Sequence, residues 1–334
     1  MSLPLCTRLE YPPDMTLRPN KFRVLRQKGS VFIFTLWAIT ILSILAVGLG
    51  YMARQKITVF QRLRDRGDIR RSTQSAIKKM IGNVDSRAED AGRSKSFQFQ
   101  GTDTYTDEKS QVECFVEDEE ARLNINQAGT HELKNLFIIL ADLPERDANR
   151  LAQEIIDYRD TDDHVSVSNE NGSEIAAYSR EGLSYRPKNR PFEMPEELLL
   201  VKGMTKKIYD LIQNYITIYG DGRLNINTCS RELLLVLELT PDIIDKVMVY
   251  RQSGVTADRV FKSVTEILPS LEAQGELSEG DRVSVTHAVG QNLLGVSSLC
   301  FRVTARVSLK NSPIRGVTHC VYVINDGIKY WSEI

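Results

Sequence analysis

The stretch 121-ARLNINQAGTHELKNLF-137 has a second copy further along the chain, 222-GRLNINTCSRELLLVL-237. In both copies RLNIN has the composition of a short strand, and a Thr or Ser then caps a leucine-rich helix that begins with Glu-Leu. Each copy continues through a short turn into a helix that ends in Tyr-Arg. Because self-similarity at a fixed spacing marks a repeated structural unit, the middle of the chain is predicted to contain two related helical units.

Strand patterns lie on both sides of this helical middle. Apolar and polar residues alternate over 94–118 and again over 299–309, 317–324 and 328–331. These strands frame the helices, so we expect a small α/β head with a large helical insertion, and an α+β fold class overall.

Residues 30–53 form an uncharged apolar run. A helix of this length reaches roughly 36 Å at ~1.5 Å per residue, which is enough to span a bilayer. A cleaved secretory signal has a much shorter apolar core, so the run is predicted to be a membrane-spanning helix. Arg23, Arg26 and Lys28 precede it, which places the N-terminus in the cytoplasm and the body of the protein outside.

The basic segment meets the apolar run at Lys28-Gly29-Ser30, without a polar spacer. This junction resembles the leader of type IV prepilins, which is cut after the glycine and leaves the apolar segment as the start of a long helix. A plain signal anchor fits the same residues and stays open. The glutamate usual at mature position five of prepilins is absent, since Phe34 stands there.

The helix is predicted to continue beyond the anchor. Residues 54–84 contain no proline, and their apolar residues recur at spacings of three and four, as at Ile77, Met80 and Ile81.

Composition argues against several classes of function. The chain has 334 residues and a formal net charge of −1, so it lacks the basic surface of a nucleic-acid coat. It contains no visible catalytic Ser/His/Asp or Cys/His spacing and no CxxC zinc motif, so we predict that it is not an enzyme. Outside the cytoplasm, one or two disulfides could form among four dispersed cysteines, Cys114, Cys229, Cys300 and Cys320.

Residues 196–216 have the outline of a helix-hairpin-helix, with Gly203 at the turn and Lys206 and Lys207 after it. Such hairpins often bind DNA phosphates through backbone amides, but Thr205 stands where the DNA-binding form has a second glycine. A structural helical module is favoured. A type IV pilus-like DNA-uptake protein that binds DNA through this hairpin is the alternative function, and a surface-adhesive pilus tip is a further rival.

A long polar loop over 158–198 clusters acidic residues. Asp160, Asp162 and Asp163 lie near its start, and Glu174 lies further on. Hard oxygen ligands without matching His or Cys suit calcium rather than zinc, although their spacing does not match an EF-hand. From the residues alone, calcium binding and ordinary helix capping with solvated charge stay equally open.

Several segments, in the right order after the Gly29–Ser30 junction, resemble the minor pseudopilin K family of type II secretion systems (GspK). They are ARLNIN, YRDTDD, NGSEIAAYS, RPKNRPFEMPEELLLVKGM and GRLNINT. The resemblance implies a pilin-like α/β head whose inserted all-α domain consists of two SAM-like (helix-hairpin-helix-like) units. The predicted segments are a prepilin-type leader at 1–29, a transmembrane segment at 30–53, the head at 54–120 and 291–334, and the first and second SAM-like units at 121–221 and 222–290.

The same resemblance implies a role in assembly. The protein would be a minor pseudopilin at the pseudopilus tip, with pseudopilins I and J as partners and no nucleic acid. Prepilin peptidase would cut and methylate it at Gly29–Ser30, with Met15 as an alternative start. A single span would hold it in the inner membrane, with its C-terminal body in the periplasm. A structural calcium ion would be bound by Asp160, Asp162, Asp163 and Glu174. Many members of the family also lack the glutamate that Phe34 replaces.

Overall fold

The structure of the protein is a computed structural model that describes residues 28–92, 101–162, 164, 178–179, 182, 186–252 and 260–334. The chain divides into two compact units, the first ending at Leu63 and the second comprising Arg64–Ile334. The predicted leader lies outside the described residues, apart from Lys28 and Gly29.

The first unit contains the start of helix α1, which runs from Lys28 to Gly92. The side chains of residues 31–63 are all exposed, and that of Phe34 is 80% exposed. The most apolar window of α1 has a mean hydropathy of 2.4, and by length and composition the helix can cross a membrane. Apolar exposure of this extent requires lipid or other apolar helices around it. The predicted N-terminal apolar helix, continuing past residue 53 without a break, is confirmed.

The other elements all belong to the second unit. The strands are β1 (Gly101–Thr106), β2 (Ser110–Asp118), β3 (Leu123–Asn124), β4 (Ile216–Thr217), β5 (Leu224–Asn225), β6 (Leu294–Gly295), β7 (Cys300–Leu309), β8 (Arg315–Val323) and β9 (Gly327–Glu333). The helices are α2 (Thr130–Ala141), α3 (Glu145–Arg159), α4 (Lys206–Ile212), α5 (Arg231–Val236), α6 (Pro241–Gln252), α7 (Ile267–Glu272) and α8 (Glu279–Gly290). Short 3-10 turns cover Glu119–Ala121, Pro195–Leu200 and Val264–Glu266.

Five strands form an antiparallel sheet in the order β1-β2-β7-β8-β9. The part of α1 that belongs to the second unit packs on one face of this sheet, where Ile77 and Met80 are buried with Val112 and Val303. Alternation along each strand directs every second residue to that face. Because β2 and β7 are direct neighbours, the residues between them, 119–299, are an insertion into the sheet. We call them the helical region.

The helical region contains the two copies of RLNIN as β3 and β5. Each of these strands pairs in parallel with a later two-residue strand, β3 with β4 and β5 with β6. The first repeat therefore extends from β3 to β4 and the second from β5 to β6. One apolar core runs through both repeats, with Leu133, Ile155, Leu233 and Ile244 among its buried members.

The mixed helix-and-sheet fold class is confirmed. One predicted helix cap is also confirmed, and two other local predictions are corrected. Ser230 caps α5, since its hydroxyl accepts a hydrogen bond from the Leu233 N–H at 3.3 Å. Thr130, however, is the first residue of α2 and not its cap. Gly129 takes the cap position, and its N–H donates to Glu132 Oε2 at 2.8 Å. The second repeat also extends past the predicted boundary at residue 290, because β6 pairs with β5.

The four described cysteines are buried free thiols, so the disulfides that the sequence allowed do not form among them. Cys114 and Cys320 belong to the core between α1 and the sheet. Burial raises the pKa of the Cys114 thiol to about 11, which keeps it protonated and unreactive.

Candidate functional site

The acidic loop begins where α3 ends, and the end of α3 is fixed in place. The Arg159 guanidinium donates hydrogen bonds to the carbonyls of Ile125 and Ala128, just after β3. Burial lowers the pKa of Arg159 to about 10, which still leaves it charged at neutral pH. The last turn of α3 is therefore tied to the RLNIN segment before the loop departs.

Asp160 is the first residue of the loop and the C-cap of α3, where its N–H donates to the Ile156 carbonyl at 2.9 Å. Its Oδ1 is buried and has no hydrogen-bond partner in the part of the chain that the structure describes. Burial, reinforced by the nearby carboxylates of Asp162 and Asp157, raises the pKa of Asp160. A buried carboxylate oxygen without a donor is a group that a cation would stabilise.

Asp162 and Asn189 join the two ends of the loop. The Asn189 side-chain amide donates to the Asp162 carbonyl, and the Asn189 N–H donates to the Tyr158 carbonyl at 2.9 Å. Asn189 has a φ of 48°, a left-handed conformation that Asn tolerates better than most residues. The Asp162 carboxylate accepts from the His164 N–H at 2.8 Å. These contacts define a closed base for the loop.

The four predicted ligands are only partly described. Asp160 and Asp162 lie together at the base, whereas Asp163 and Glu174 lie outside the described residues. Among the described residues there is no group of three or more metal-binding side chains. The oxygen ligands present at the base still fit calcium, since they are hard oxygens and one of them is buried and has no partner in the described parts of the loop.

In each repeat, a pair of hydrogen bonds that was not predicted from the sequence holds a phenylalanine from a later segment, and we call each pair a latch. In the first repeat this phenylalanine lies near the far end of the acidic loop. In the first repeat, the Asn126 side chain donates to the Phe192 carbonyl at 2.9 Å and accepts from the Phe192 N–H at 2.8 Å. In the second, Asn227 makes the same pair of bonds to Phe261, at 2.9 and 3.0 Å. The last Asn of RLNIN therefore holds a phenylalanine from a later segment.

The Tyr-Arg pairs complete these latches. The Tyr158 ring stacks on Phe192 with centroids 5.2 Å apart, and the Tyr250 ring stacks on Phe261 at 4.5 Å. The Arg251 guanidinium donates to the Cys229 carbonyl at 2.8 Å, as Arg159 does to Ala128. The acidic loop is thus an insertion in the first repeat, at a place where the second repeat has a much shorter connection. The sequence signal that could have revealed the equivalence of Phe192 and Phe261 is a shared pattern, Phe-x4-Glu followed by Leu or Ile, at 192–198 and 261–267.

Several polar groups of the hairpin are engaged within the protein, although Lys207 is exposed. The Lys202 ammonium lies 3.1 Å from the Glu154 carboxylate, and both side chains are about 95% buried (4% and 5% exposed). The Thr205 hydroxyl accepts from the Ile208 N–H at 3.2 Å and so caps α4. Lys206 pairs with Asp210 on the same helix. The hairpin therefore resembles a structural turn more than a phosphate-binding one.

A buried polar junction, also missed from the sequence, attaches the sheet to both repeats. The Glu119 carboxylate is fully buried and accepts from Arg302 at 2.7 and 2.9 Å, from Arg122 at 2.6 Å and from Thr217 at 2.8 Å. Thr217 belongs to β4, so this carboxylate fixes the first repeat. The sequence signal was the acidic run 117–120 directly before RLNIN.

Asp118 makes the corresponding attachment to the second repeat. Its carboxylate accepts from Asn225 of β5 at 2.8 Å and from the Ser298 hydroxyl at 2.6 Å, as well as from Thr228. Burial raises the pKa of Asp118, and these hydrogen bonds oppose that effect. Two consecutive carboxylates thus hold the helical region to the end of β2.

The predicted processing residues, Gly29 and Ser30, lie in the first turn of α1. Their side-chain surroundings are outside what the structure describes.

Residues 115–221 match the family model for protein K of the type II secretion system. This segment contains the end of β2, the two carboxylates of the buried junction and the first repeat with its acidic loop. No curated protein matches the chain. Among solved structures, the chain is similar to one from the crystal structure of the GspK-GspI-GspJ complex of the type 2 secretion system of enterotoxigenic Escherichia coli. The TM-score is 0.60, the sequence identity is 17%, and the match covers 82% of this chain and 97% of that chain. At this identity the likeness shows a shared fold. The protein K model therefore matches the first repeat, and the solved structure shares the fold of most of the chain.

Proposed function

We propose that this protein occupies the tip of the type II secretion pseudopilus, assembles there with minor pseudopilins I and J, and helps to initiate pseudopilus assembly for the export of folded proteins. The choice of partners follows the structural relative, which belongs to a GspK-GspI-GspJ complex.

The observation that carries this proposal is the helical region between β2 and β7. In a pilin-type fibre the head of each subunit is stacked beneath the head of the next. The helical region, residues 119–299, is longer than all five strands of the sheet together and is held to the sheet by the buried carboxylates of Asp118 and Glu119. A subunit with this added bulk would clash with a head above it, so it suits the end of the fibre.

Phe34 supports the same position. In pilin-type fibres, a carboxylate at mature position five is thought to pair with the N-terminal amine of the subunit ahead. An unpaired ammonium inside an apolar bundle is unfavourable, so each entering subunit needs this carboxylate. A subunit with Phe34 cannot supply it, but its own amine can still be paired by the next arrival. It is therefore best suited to be the first subunit, with none ahead.

Processing and location complete the proposal. Prepilin peptidase cuts after Gly29 and methylates the new Ser30 amine, and the apolar start of α1 then spans the inner membrane with the second unit in the periplasm. The exposed apolar surface of residues 31–53 and the absence of charge from this run support this arrangement. The N-terminal mass of the membrane-extracted protein tests it, and an intact leader would contradict it.

Calcium binding at the acidic loop is part of the same proposal. Asp160 and Asp162 hold the ion at the base of the loop, with Asp163 and Glu174 as the further ligands. The buried Asp160 Oδ1, which has no hydrogen-bond partner among the described residues, supports this choice. The ion supplies positive charge to clustered carboxylates and so orders the loop.

The direct test is the composition of the complex. The full-length protein is co-expressed with full-length I and J, extracted in detergent and analysed by native mass spectrometry. We expect one copy of each subunit. A complex without this protein, or one with several copies of it, would rule out the proposed position.

A further inference from the structure

Residues 54–63 of α1 follow the apolar run directly, and we call them the juxtamembrane segment. All of their side chains are exposed. Arg54, Lys56 and Arg62 supply three positive charges, and the sequence has no Asp or Glu from residue 30 to residue 64. None of the three cations has an acidic partner among the residues that the structure describes. The segment is therefore a surface of unbalanced positive charge.

The acidic residues that come next in the sequence leave this excess in place. The first of them is Asp65, and over 54–71 the sequence has seven Lys or Arg and two Asp. The second, Asp68, pairs with Arg71. The positive charge of the juxtamembrane segment is therefore available to an anionic partner.

With the apolar run in a bilayer, the juxtamembrane segment begins at the depth of the lipid headgroups. Tyr51, close to the end of the run, is exposed, and tyrosine is enriched where a membrane meets water. Arg54 and Lys56 lie within about 5 Å of the end of the run along the helix, and Arg62 within about 14 Å. The headgroup layer extends roughly 5–8 Å beyond the hydrocarbon. Because helical side chains point toward the N-terminus of their helix, the long Arg62 side chain is directed back to this layer.

The three cations are distributed around the helix, not along one face of it. At about 100° per residue, Lys56 lies about 160° to one side of Arg54, and Arg62 lies about 80° to the other side. The smallest arc that contains all three is about 200°, which is twice the stripe of about 100° through which a helix packs on one neighbour. A single partner helix would reach only part of this arc, whereas lipid headgroups surround a membrane helix on every side.

We propose that the juxtamembrane segment binds the phosphate groups of anionic phospholipids through Arg54, Lys56 and Arg62. The inference goes beyond the proposed function and rests on it only for the membrane span. Ile57 and Phe60 lie among the cations and are 56% and 73% exposed. Basic and large apolar side chains together suit the boundary between headgroups and acyl chains. Each Lys or Arg close to an anionic membrane surface strengthens binding by roughly fivefold.

Lipid selectivity is measured by native mass spectrometry of the full-length protein in detergent, with equal amounts of phosphatidylglycerol and phosphatidylcholine that carry the same acyl chains. We expect the wild type to retain phosphatidylglycerol about tenfold or more over phosphatidylcholine. A variant that combines Arg54→Gln, Lys56→Gln and Arg62→Gln should lose this preference.

The matched control removes three positive charges from the second unit and should keep the preference. It combines Lys78→Gln, Arg146→Gln and Lys207→Gln, at exposed positions without an acidic partner among the described residues. A further variant, Arg54→Lys with Arg62→Lys, should also keep the preference, because it preserves the charge. Unchanged melting of all the variants shows that the fold is kept.

The outcomes separate this inference from the proposed function. Equal binding of the two lipids by the wild type, or an unchanged preference in the triple Gln variant, would overturn the inference and leave the membrane span intact. Loss of binding to I and J in that variant, without any lipid preference in the wild type, would assign the three cations to a protein partner and also overturn it. Carbonate extraction tests the span separately, and release of the wild type from membranes would refute the span and the inference together.

Discussion

Glu119 is the position where a single substitution should loosen the helical region from the sheet. Its carboxylate is 0% exposed and faces two guanidiniums, those of Arg302 and Arg122, whose side chains are 30% and 13% exposed. Glu119→Gln keeps the shape but leaves Arg302 without a counter-charge and Arg122 with only the more exposed Glu117. Removing one partner of a buried pair costs about 3–5 kcal/mol. Because the guanidiniums retain some access to water, we expect about 3 kcal/mol.

The control is Glu117→Gln, two residues earlier and within β2. Glu117 also contacts Arg122, at 3.3 Å, but its side chain is 54% exposed, and an exposed pair contributes at most about 1 kcal/mol. Hydrogen exchange of the full-length protein in detergent compares the two variants at the backbone amides of Leu123 and Ile125. These amides donate to the carbonyls of Tyr215, next to β4, and of Thr217, within β4. We expect exchange roughly a hundredfold faster for Glu119→Gln and little change for Glu117→Gln. Equal effects of the two substitutions would refute the argument that burial of the charge stabilises this junction.

Three further predictions concern the loop, the latches and pH. Calcium should raise the melting temperature of the full-length protein, since a metal that binds only the folded state stabilises it, and changing Asp160 and Asp162 to Asn should abolish this rise. Identical wild-type melting temperatures in calcium and in chelator would contradict the metal site. Asn227→Ala should destabilise the protein by about 3 kcal/mol, more than Asn126→Ala, because the Asn227 amide also donates to the Val296 carbonyl at 2.9 Å, and its loss leaves two buried groups of Phe261 and this part-buried carbonyl unpaired. Chemical denaturation compares the two variants, and the reverse order would contradict this. Burial, with Asp118 and Asp221 nearby, raises the pKa of Glu120 from 4.5 to about 8. The folded state therefore binds this proton more tightly than the unfolded state, and the free energy of unfolding should fall as the pH rises from about 4.5 to about 8. Glu120→Gln should flatten this decline, and an unchanged pH profile would show that Glu120 does not cause it.

The repeat was the most informative part of the sequence. RLNIN predicted two short strands, and the Tyr-Arg endings of α3 and α6 were predicted correctly, because local propensity and apolar spacing determine these elements. The parallel partners of β3 and β5 could not be predicted, since β4 and β6 are two residues long and carry no pattern of their own. Helix α8 was also missed, because only Val285 and Ala288 are buried apolar residues in it.

The candidate site was only partly predictable. The acidic composition indicated the loop and its start at Asp160, but nothing in the sequence indicated that Asn189 would close its base. The latches depend on an amide and a phenylalanine that are distant in sequence, as Asn126 and Phe192 are. The buried carboxylates at 118 and 119 resembled a solvated acidic run, because their partners come from β4, β5 and β7. Long-range pairing of this kind leaves no local sequence signal.

The proposed position at the tip of the pseudopilus can be tested by locating this protein on assembled fibres. A small tag at the exposed C-terminal residue, Ile334, can be labelled with gold on full-length protein and viewed by electron microscopy of overproduced pseudopili. We expect one label at one end of each fibre. Labels at regular intervals along the shaft would contradict it.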